Sequence, residues 1–248
     1  GYTAFMLAAQ YNTNVEILQY LYSTFEGTID INKKNWYRET AFILAAQYNT
    51  NVEVVKYLYD TFKGTIEFNI QNKNGDTAFM LAAQYNTNIE VLQYLYNTFK
   101  DTIDINKQNK YGNTACLLST LNGNEEVMKY LYTTIDINAQ NKNGDTEFML
   151  LIKSKIVDYY TLWYLLDTHE IIDKIDINIQ NNDGETALMI AIKSDIYISD
   201  VKRLYKKFKD KIDLTKQDNN GNTVLMLAVR YNTDMVIQYL CDILQKTK

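Results

Sequence analysis

The sequence predicts an all-α solenoid of about seven helix-turn-helix repeats joined by short β-turn fingers. Three observations carry that prediction. A threonine recurs as Thr3, Thr40, Thr77, Thr114, Thr146, Thr186 and Thr223, at successive spacings of 37, 37, 37, 32, 40 and 37 residues. The first three segments are near copies: TAFMLAAQYNTNVEILQYLYSTF, TAFILAAQYNTNVEVVKYLYDTF and TAFMLAAQYNTNIEVLQYLYNTF. Each copy holds two short apolar stretches, neither long enough to be a stable helix alone, so stacking must bury them.

A unit opens on a turn of the form Asn-x-x-Gly, as in Asn72-Lys73-Asn74-Gly75. The glycine can take a positive φ there, and the flanking asparagines favour the same tight turn. With no proline and nine glycines in 248 residues, much of the remaining turn chemistry is expected from asparagine, through its tolerance of the left-handed region. The threonine follows as the expected N-cap of the first helix. Phe79-Met80-Leu81-Ala82-Ala83 builds that helix with small residues on one side, which admit a close neighbour. Asn86 is expected to stop it as a left-handed residue.

The second helix carries Val91, Leu92, Tyr94, Leu95 and Phe99, an apolar stripe at 3.6-residue spacing. Tyr20, Tyr57, Tyr94 and Tyr130 lie on this stripe and read as core or shoulder residues. Ile103-Asp104-Ile105-Asn106 then runs extended into the next turn. The fifth unit is the least regular. Its second helix, Tyr159 to Leu166, and the linker through His169 predict a local change of curvature.

These units resemble ankyrin repeats. The residues that carry the resemblance are Gly75-Asp76-Thr77-Ala78-Phe79-Met80 with Ala82-Ala83, then Glu90-Val91-Leu92 and Tyr94-Leu95, then Asp104-Ile105-Asn106. Later units keep it, as in Gly184-Glu185-Thr186-Ala187-Leu188 and Gly221-Asn222-Thr223-Val224-Leu225. It covers the whole chain, with units at about 1–34, 35–71, 72–108, 109–140, 141–180, 181–217 and 218–248, read as one domain. Relative to the family's roughly 33 residues, the longer units add one residue between the helices and three around Phe99 to Thr102. Alanine or a similar residue stands where the family has proline at the first helical position. The family's histidine becomes Met6, Ile43, Met80, Leu117, Met149, Met189 and Met226, which is expected to exchange a polar bridge between turns for apolar packing.

Composition narrows the function classes. A hydrophobic fraction of 46% with 22% charged residues is that of a globular protein, and the net charge of −5 disfavours a nucleic-acid partner. The basic run Lys202, Arg203, Lys206, Lys207 and Lys209 reads as a solvated helix face. No segment reaches the roughly 18 apolar residues of a membrane helix, and no signal peptide is visible. Cys116 and Cys241 lie far apart within apolar helical patterns and read as buried free thiols. The cytoplasm or another reducing intracellular compartment is the expected location.

No catalytic constellation can be assembled, so no enzyme activity and no cofactor are expected. His169 has no nucleophile or carboxylate at a repeated spacing, and two cysteines with one histidine cannot make an ordinary structural zinc site. Asn74-Gly75-Asp76 and Asn143-Gly144-Asp145 lack the other ligand positions of a calcium loop, so acids such as Asp76 and Asp145 are placed on turn tips.

The resemblance implies a protein-interaction module, here expected as a monomer, whose turn tips and exposed first-helix side line a concave face. At matching positions the expected partner-binding residues are Trp36, Tyr37 and Glu39, then Lys73 and Asp76, then Lys110 and Tyr111. Tyr11, Gln47, Tyr48, Gln84 and Tyr85 join them from the ends of the first helices. Trp36-Tyr37-Arg38 stands out, because large aromatics and arginine replace a polar turn and are enriched in interface hot spots. The Tyr11, Tyr48, Tyr85 ladder fits either inter-repeat packing or a binding surface. The apolar first unit, which begins at the turn glycine Gly1, also predicts a second reading. In it, the chain is the C-terminal part of a longer protein and serves as its targeting or spacer arm.

Overall fold

The computed structural model describes residues 1–154, 167, 169–194, 198–231 and 234–246. The first helices of the seven units start one residue after each aligned threonine. They are α1 (Ala4–Tyr11), α3 (Ala41–Tyr48), α5 (Ala78–Tyr85), α7 (Ala115–Leu121), α9 (Glu147–Ser154), α11 (Ala187–Lys193) and α13 (Val224–Arg230). The second helices are α2 (Val15–Thr24), α4 (Val52–Thr61), α6 (Ile89–Phe99), α8 (Glu125–Thr134), α12 (Ile198–Phe208) and α14 (Asp234–Lys246). In the fifth unit the expected second helix, Tyr159 to Leu166, lies outside the described residues. The short α10 (His169–Ile172) comes after it in the chain, so His169 lies in a helical turn where a plain linker was expected. Among the described residues the β pairing is an isolated antiparallel bridge between Gln217 and Thr223.

Every aligned threonine caps its helix as the sequence predicts. The hydroxyl oxygens of Thr3, Thr40, Thr77, Thr114, Thr146, Thr186 and Thr223 accept from the backbone N–H three residues on, at 3.1–3.4 Å. The residues in the histidine's place pack in the core as expected, except Met226, which is exposed, and three of the methionines also take part in the caps. The sulfurs of Met6, Met80 and Met189 accept from the backbone N–H of Thr3, Thr77 and Thr186 at 3.4–3.5 Å, closing a capping box. A thioether is a weak acceptor, but it satisfies an N–H that helix geometry leaves without a partner.

The asparagine expectation is corrected. Asn12, Asn49 and Asn86 end their helices in extended conformation, with φ of −96°, −84° and −73°. Among the described residues only Arg38 takes a positive φ without being glycine. What these asparagines contribute is side-chain amides. Asn86 Nδ2 donates to the carbonyls of Ala46 and Asn49, both at 2.9 Å, and Asn49 Nδ2 does the same to Ala9 and Asn12. Their Oδ1 atoms accept from the N–H of Asn88 and Asn51, which in turn cap the second helices at Glu90 and Glu53. Asn51 and Asn88 also reach back to the carbonyls of Thr13 and Thr50. The repeated string Tyr-Asn-Thr-Asn is thus a hydrogen-bonded seam between successive units.

The linkers after the second helices are likewise tighter than extended chain. Asp30, Asp104, Asp136, Asp176 and Asp213 each accept from the N–H two residues on. Asn32, Asn69, Asn138 and Asn178 then donate to a backbone carbonyl of the next linker.

The chain forms two compact units, residues 1–131 and 132–248, with the division inside α8. In the first, α1, α3, α5 and α7 pack in sequence, with α2, α4 and α6 behind them. Ala45, Ala46, Ala82 and Ala83 are fully buried, which is how the first helices approach closely. Phe62, just after α4, and Phe99, at the end of α6, are in the core, whereas Phe25 at the equivalent place is exposed. Phe62 meets Phe5 and Tyr22 edge-on, and Phe99 meets Phe42 and Tyr59 edge-on and stacks on Phe68 at 4.2 Å. In the second unit α11 packs between α9 and α13, and α12 packs on α14. Cys116 is buried as expected, whereas Cys241 is half-buried, because α14 presents it beside the stripe that packs on α12. No described helix is long and apolar enough to cross a membrane.

Candidate functional site

Each finger is held from inside by its leading asparagine. Asn72 Oδ1 accepts from the N–H of Asn74 and Asp76, both at 2.9 Å, and the backbone closes with Asn72 N–H on the Asp76 carbonyl. Asn35, Asn109, Asn141, Asn181 and Asp218 repeat the arrangement. Fingers are then joined to one another by backbone bonds. Lys73 N–H donates to the Tyr37 carbonyl at 2.8 Å and Lys110 N–H to that of Asn74 at 2.9 Å. In the second unit Asn182 donates to Asn143 and Asn219 to Asp183. The third and sixth fingers are thus tied by backbone bonds on both sides, and the second, fourth, fifth and seventh on one.

The tips carry Trp36, Tyr37, Lys73, Lys110 and Tyr111 into solvent, as the sequence predicts. Trp36 is 71% exposed and Tyr111 72%. The indole of Trp36 also lies along Gly1, 3.5 Å from where a Cβ on that residue would stand. Lys73 Nζ sits 6.0 Å from the Tyr37 ring centre, within cation–π range.

Beside the tips, Tyr11, Tyr48 and Tyr85 form the exposed ladder from the helix ends. The Tyr48 hydroxyl is held above its ordinary pKa, first by burial and then by the charge of Glu39, with Tyr2, Tyr85 and Tyr11 as further neighbours. Tyr2 is raised for the same reasons, by burial, then Glu39, then Tyr37 and Tyr11. The Glu39 charge is thus felt at both of these hydroxyls. Tyr2 was missed by the sequence reading. Its signal is that it stands immediately before Thr3, where the second and third units have Glu39 and Asp76.

Three of the expected residues are placed differently. Asp76 is only 5% exposed, because its carboxylate accepts from Asn109 Nδ2 of the next finger at 2.7 Å. Gln47 is 6% exposed, with an Oε1 that has no hydrogen-bond partner among the described residues. Neither stands on an open surface. Asp145 is likewise buried, contrary to its expected place on a tip, and accepts from Asn181 Nδ2 at 2.9 Å. Glu39 and Gln84 are half-buried, and Asn35 Nδ2 donates to Glu39 Oε2 at 2.9 Å.

The second unit differs at one register position. Lys153 Nζ lies 2.5 Å from Asp145 Oδ1, and Lys193 pairs with Glu185. The hydrogen bond to Glu185 raises the Lys193 pKa above its ordinary value. In the first unit the residues at this place are Gln10, Gln47, Gln84 and Leu121. Within the basic run on α12, Arg203 and Lys207 both pair with Asp167, and Lys202 lies over the Tyr239 ring. Among the described residues no three of His, Cys, Asp and Glu are grouped to hold a metal ion.

A family model described as ankyrin repeats (3 copies) matches residues 1–67, 61–141 and 148–247. Among solved structures, the chain is similar to the ankyrin repeat domain of Bcl-3, a member of the IkappaB protein family. That match has a TM-score of 0.70 at 21% identity over 99% of both chains. It is also similar to a chain in the structure of the predatory endopeptidase Bd0816 from Bdellovibrio bacteriovorus in complex with the immunity protein Bd3460. There the TM-score is 0.52 at 25% identity, over 87% of this chain and 100% of that one. No curated protein matches it in sequence.

Proposed function

The chain belongs to the ankyrin repeat family, and on that premise we propose that it binds a partner protein through the finger tips and first-helix ends of residues 1–131. The observation that carries this reading is the gathering of exposed aromatic side chains on that face: Trp36, Tyr37 and Tyr111 on the tips, Tyr11, Tyr48 and Tyr85 beside them. Exposed rings of this size on a fixed backbone offer large contact area with little conformational entropy to lose. The similar chain in the endopeptidase–immunity protein complex is itself one member of a protein assembly, which supports a protein as the ligand class.

The test is a pull-down from cells that make the protein, comparing wild type with the double variant Trp36→Ala, Tyr37→Ala. Partners captured by wild type are expected to fall by about tenfold or more in affinity, in line with the loss of two hot-spot aromatics. Retention of every partner at unchanged affinity would remove this face as the site.

A further inference from the structure

Four units carry a carboxylate immediately before the capping threonine: Glu39, Asp76, Asp145 and Glu185. In the second compact unit each is neutralised from its own repeat, by the lysine eight residues on, in the pairs Lys153–Asp145 and Lys193–Glu185. In the first compact unit that lysine is replaced by Gln47 and Gln84. Asp76 is compensated in another way, by the amide of Asn109 at 2.7 Å. Glu39 is not. Its Oε2 accepts from Asn35, while among the described residues nothing donates to Oε1 and no lysine or arginine pairs with it.

The hydroxyls of Tyr2 and Tyr48 both feel the Glu39 charge. Gln47 stands at the place lysine takes in the fifth and sixth repeats, nine-tenths buried with an Oε1 that has no partner among the described residues, as Gln10 does one repeat earlier. A half-buried carboxylate with an unpaired acceptor at the register that carries its lysine in the fifth and sixth repeats is complementary to a cation with N–H donors. Such a group gains the carboxylate's charge and satisfies the open acceptor.

We propose that Glu39 seats a lysine or arginine side chain presented by the bound protein, in place of the internal lysine that the fifth and sixth repeats carry. This rests on the reading that the face binds a protein, and it names the chemistry of the contact.

The experiment selects peptides from a random-peptide phage library on the full chain and compares wild type with Gln47→Lys and Glu39→Gln. Gln47→Lys supplies the internal cation, in a register where Lys153 and Lys193 already fit, so the fold is retained, which thermal melting verifies. Glu39→Gln removes the carboxylate with almost no change in volume. Peptides selected on wild type are expected to be enriched in lysine or arginine over the input library and to bind either variant at least about tenfold more weakly.

Three outcomes overturn the proposal: no peptides selected, peptides without cationic enrichment, or binding unchanged in both variants. Selected peptides that lose binding with Trp36→Ala, Tyr37→Ala yet keep it with Gln47→Lys and Glu39→Gln would sink this inference alone. The reading of the face as a protein-binding surface would then stand.

Discussion

Asn109 Nδ2 donates to Asp76 Oδ1 at 2.7 Å, and that bond fastens the fourth finger to the third with both residues buried. Asp76 is therefore part of the scaffold that presents the tips. Asp76→Ala leaves the Asn109 amide buried without its acceptor, and is expected to destabilise residues 1–131 by about 1–3 kcal/mol. Urea denaturation measures it. Lost partner binding with no change in unfolding midpoint would return Asp76 to the contact surface.

Asn86 makes two amide bonds back to the preceding repeat and accepts a third from Asn88. Asn86→Ala strands two carbonyls and an N–H in a buried seam, and should destabilise by about 2–4 kcal/mol. Asn88→Ala removes an exposed bond and a helix cap, for about 1 kcal/mol. The order of the two midpoints is the check, and a reversed order would show that the seam bears on the second helix instead.

Arg38 holds φ at +63°, where the other fingers place glycine. Relief of that backbone conformation predicts that Arg38→Gly stabilises by about 0.5–1 kcal/mol. Gly144→Ala should do the opposite, by about 2 kcal/mol or more, since its Cβ would stand 2.6 Å from the Asn182 nitrogen at a φ of +76°. Differential scanning calorimetry on the pair gives both signs.

The phenols of Tyr2 and Tyr48 are raised above the ordinary value of 10.0, by burial first and by Glu39 second. Tyr57, Tyr94 and Tyr239 are raised chiefly by burial. A raised folded pKa means that the unfolded chain loses these protons first. Stability should therefore be intact below pH 10 and fall as pH climbs from there through the folded values. In Glu39→Gln, phenolate absorbance of Tyr2 and Tyr48 is expected to appear at lower pH than in wild type. An unchanged titration would place the carboxylate away from the rings.

Much of the helical pattern was legible because its causes are local. A capping threonine before an apolar run and a 3.6-residue stripe need no knowledge of the neighbouring repeat, and each threonine does cap where it was expected. Asparagine was misread for a reason that is equally physical. Its backbone tolerance is a property of the residue alone, whereas the amide bonds it makes here end on carbonyls 37 to 40 positions away, as from Asn86 to Asn49 and Ala46. The methionine sulfurs escaped notice because a thioether is seldom an acceptor until helix geometry leaves an N–H beside it.

The candidate face divides along the same line. Trp36, Tyr37 and Tyr111 could be placed on tips from the turn spacing, since a finger's direction is set within four residues. Whether Asp76 and Gln47 face solvent could not, because burial is decided by how the next repeat closes over them. By itself the sequence determined the period, the caps, the stripe and the aromatic tips, all products of short-range geometry and hydrophobic pattern. Only the tertiary structure decided which polar side chains were spent on joining repeats. It also decided which carboxylate, Glu39, was left without a cation, since pairing depends on which side chains the folded repeat brings together.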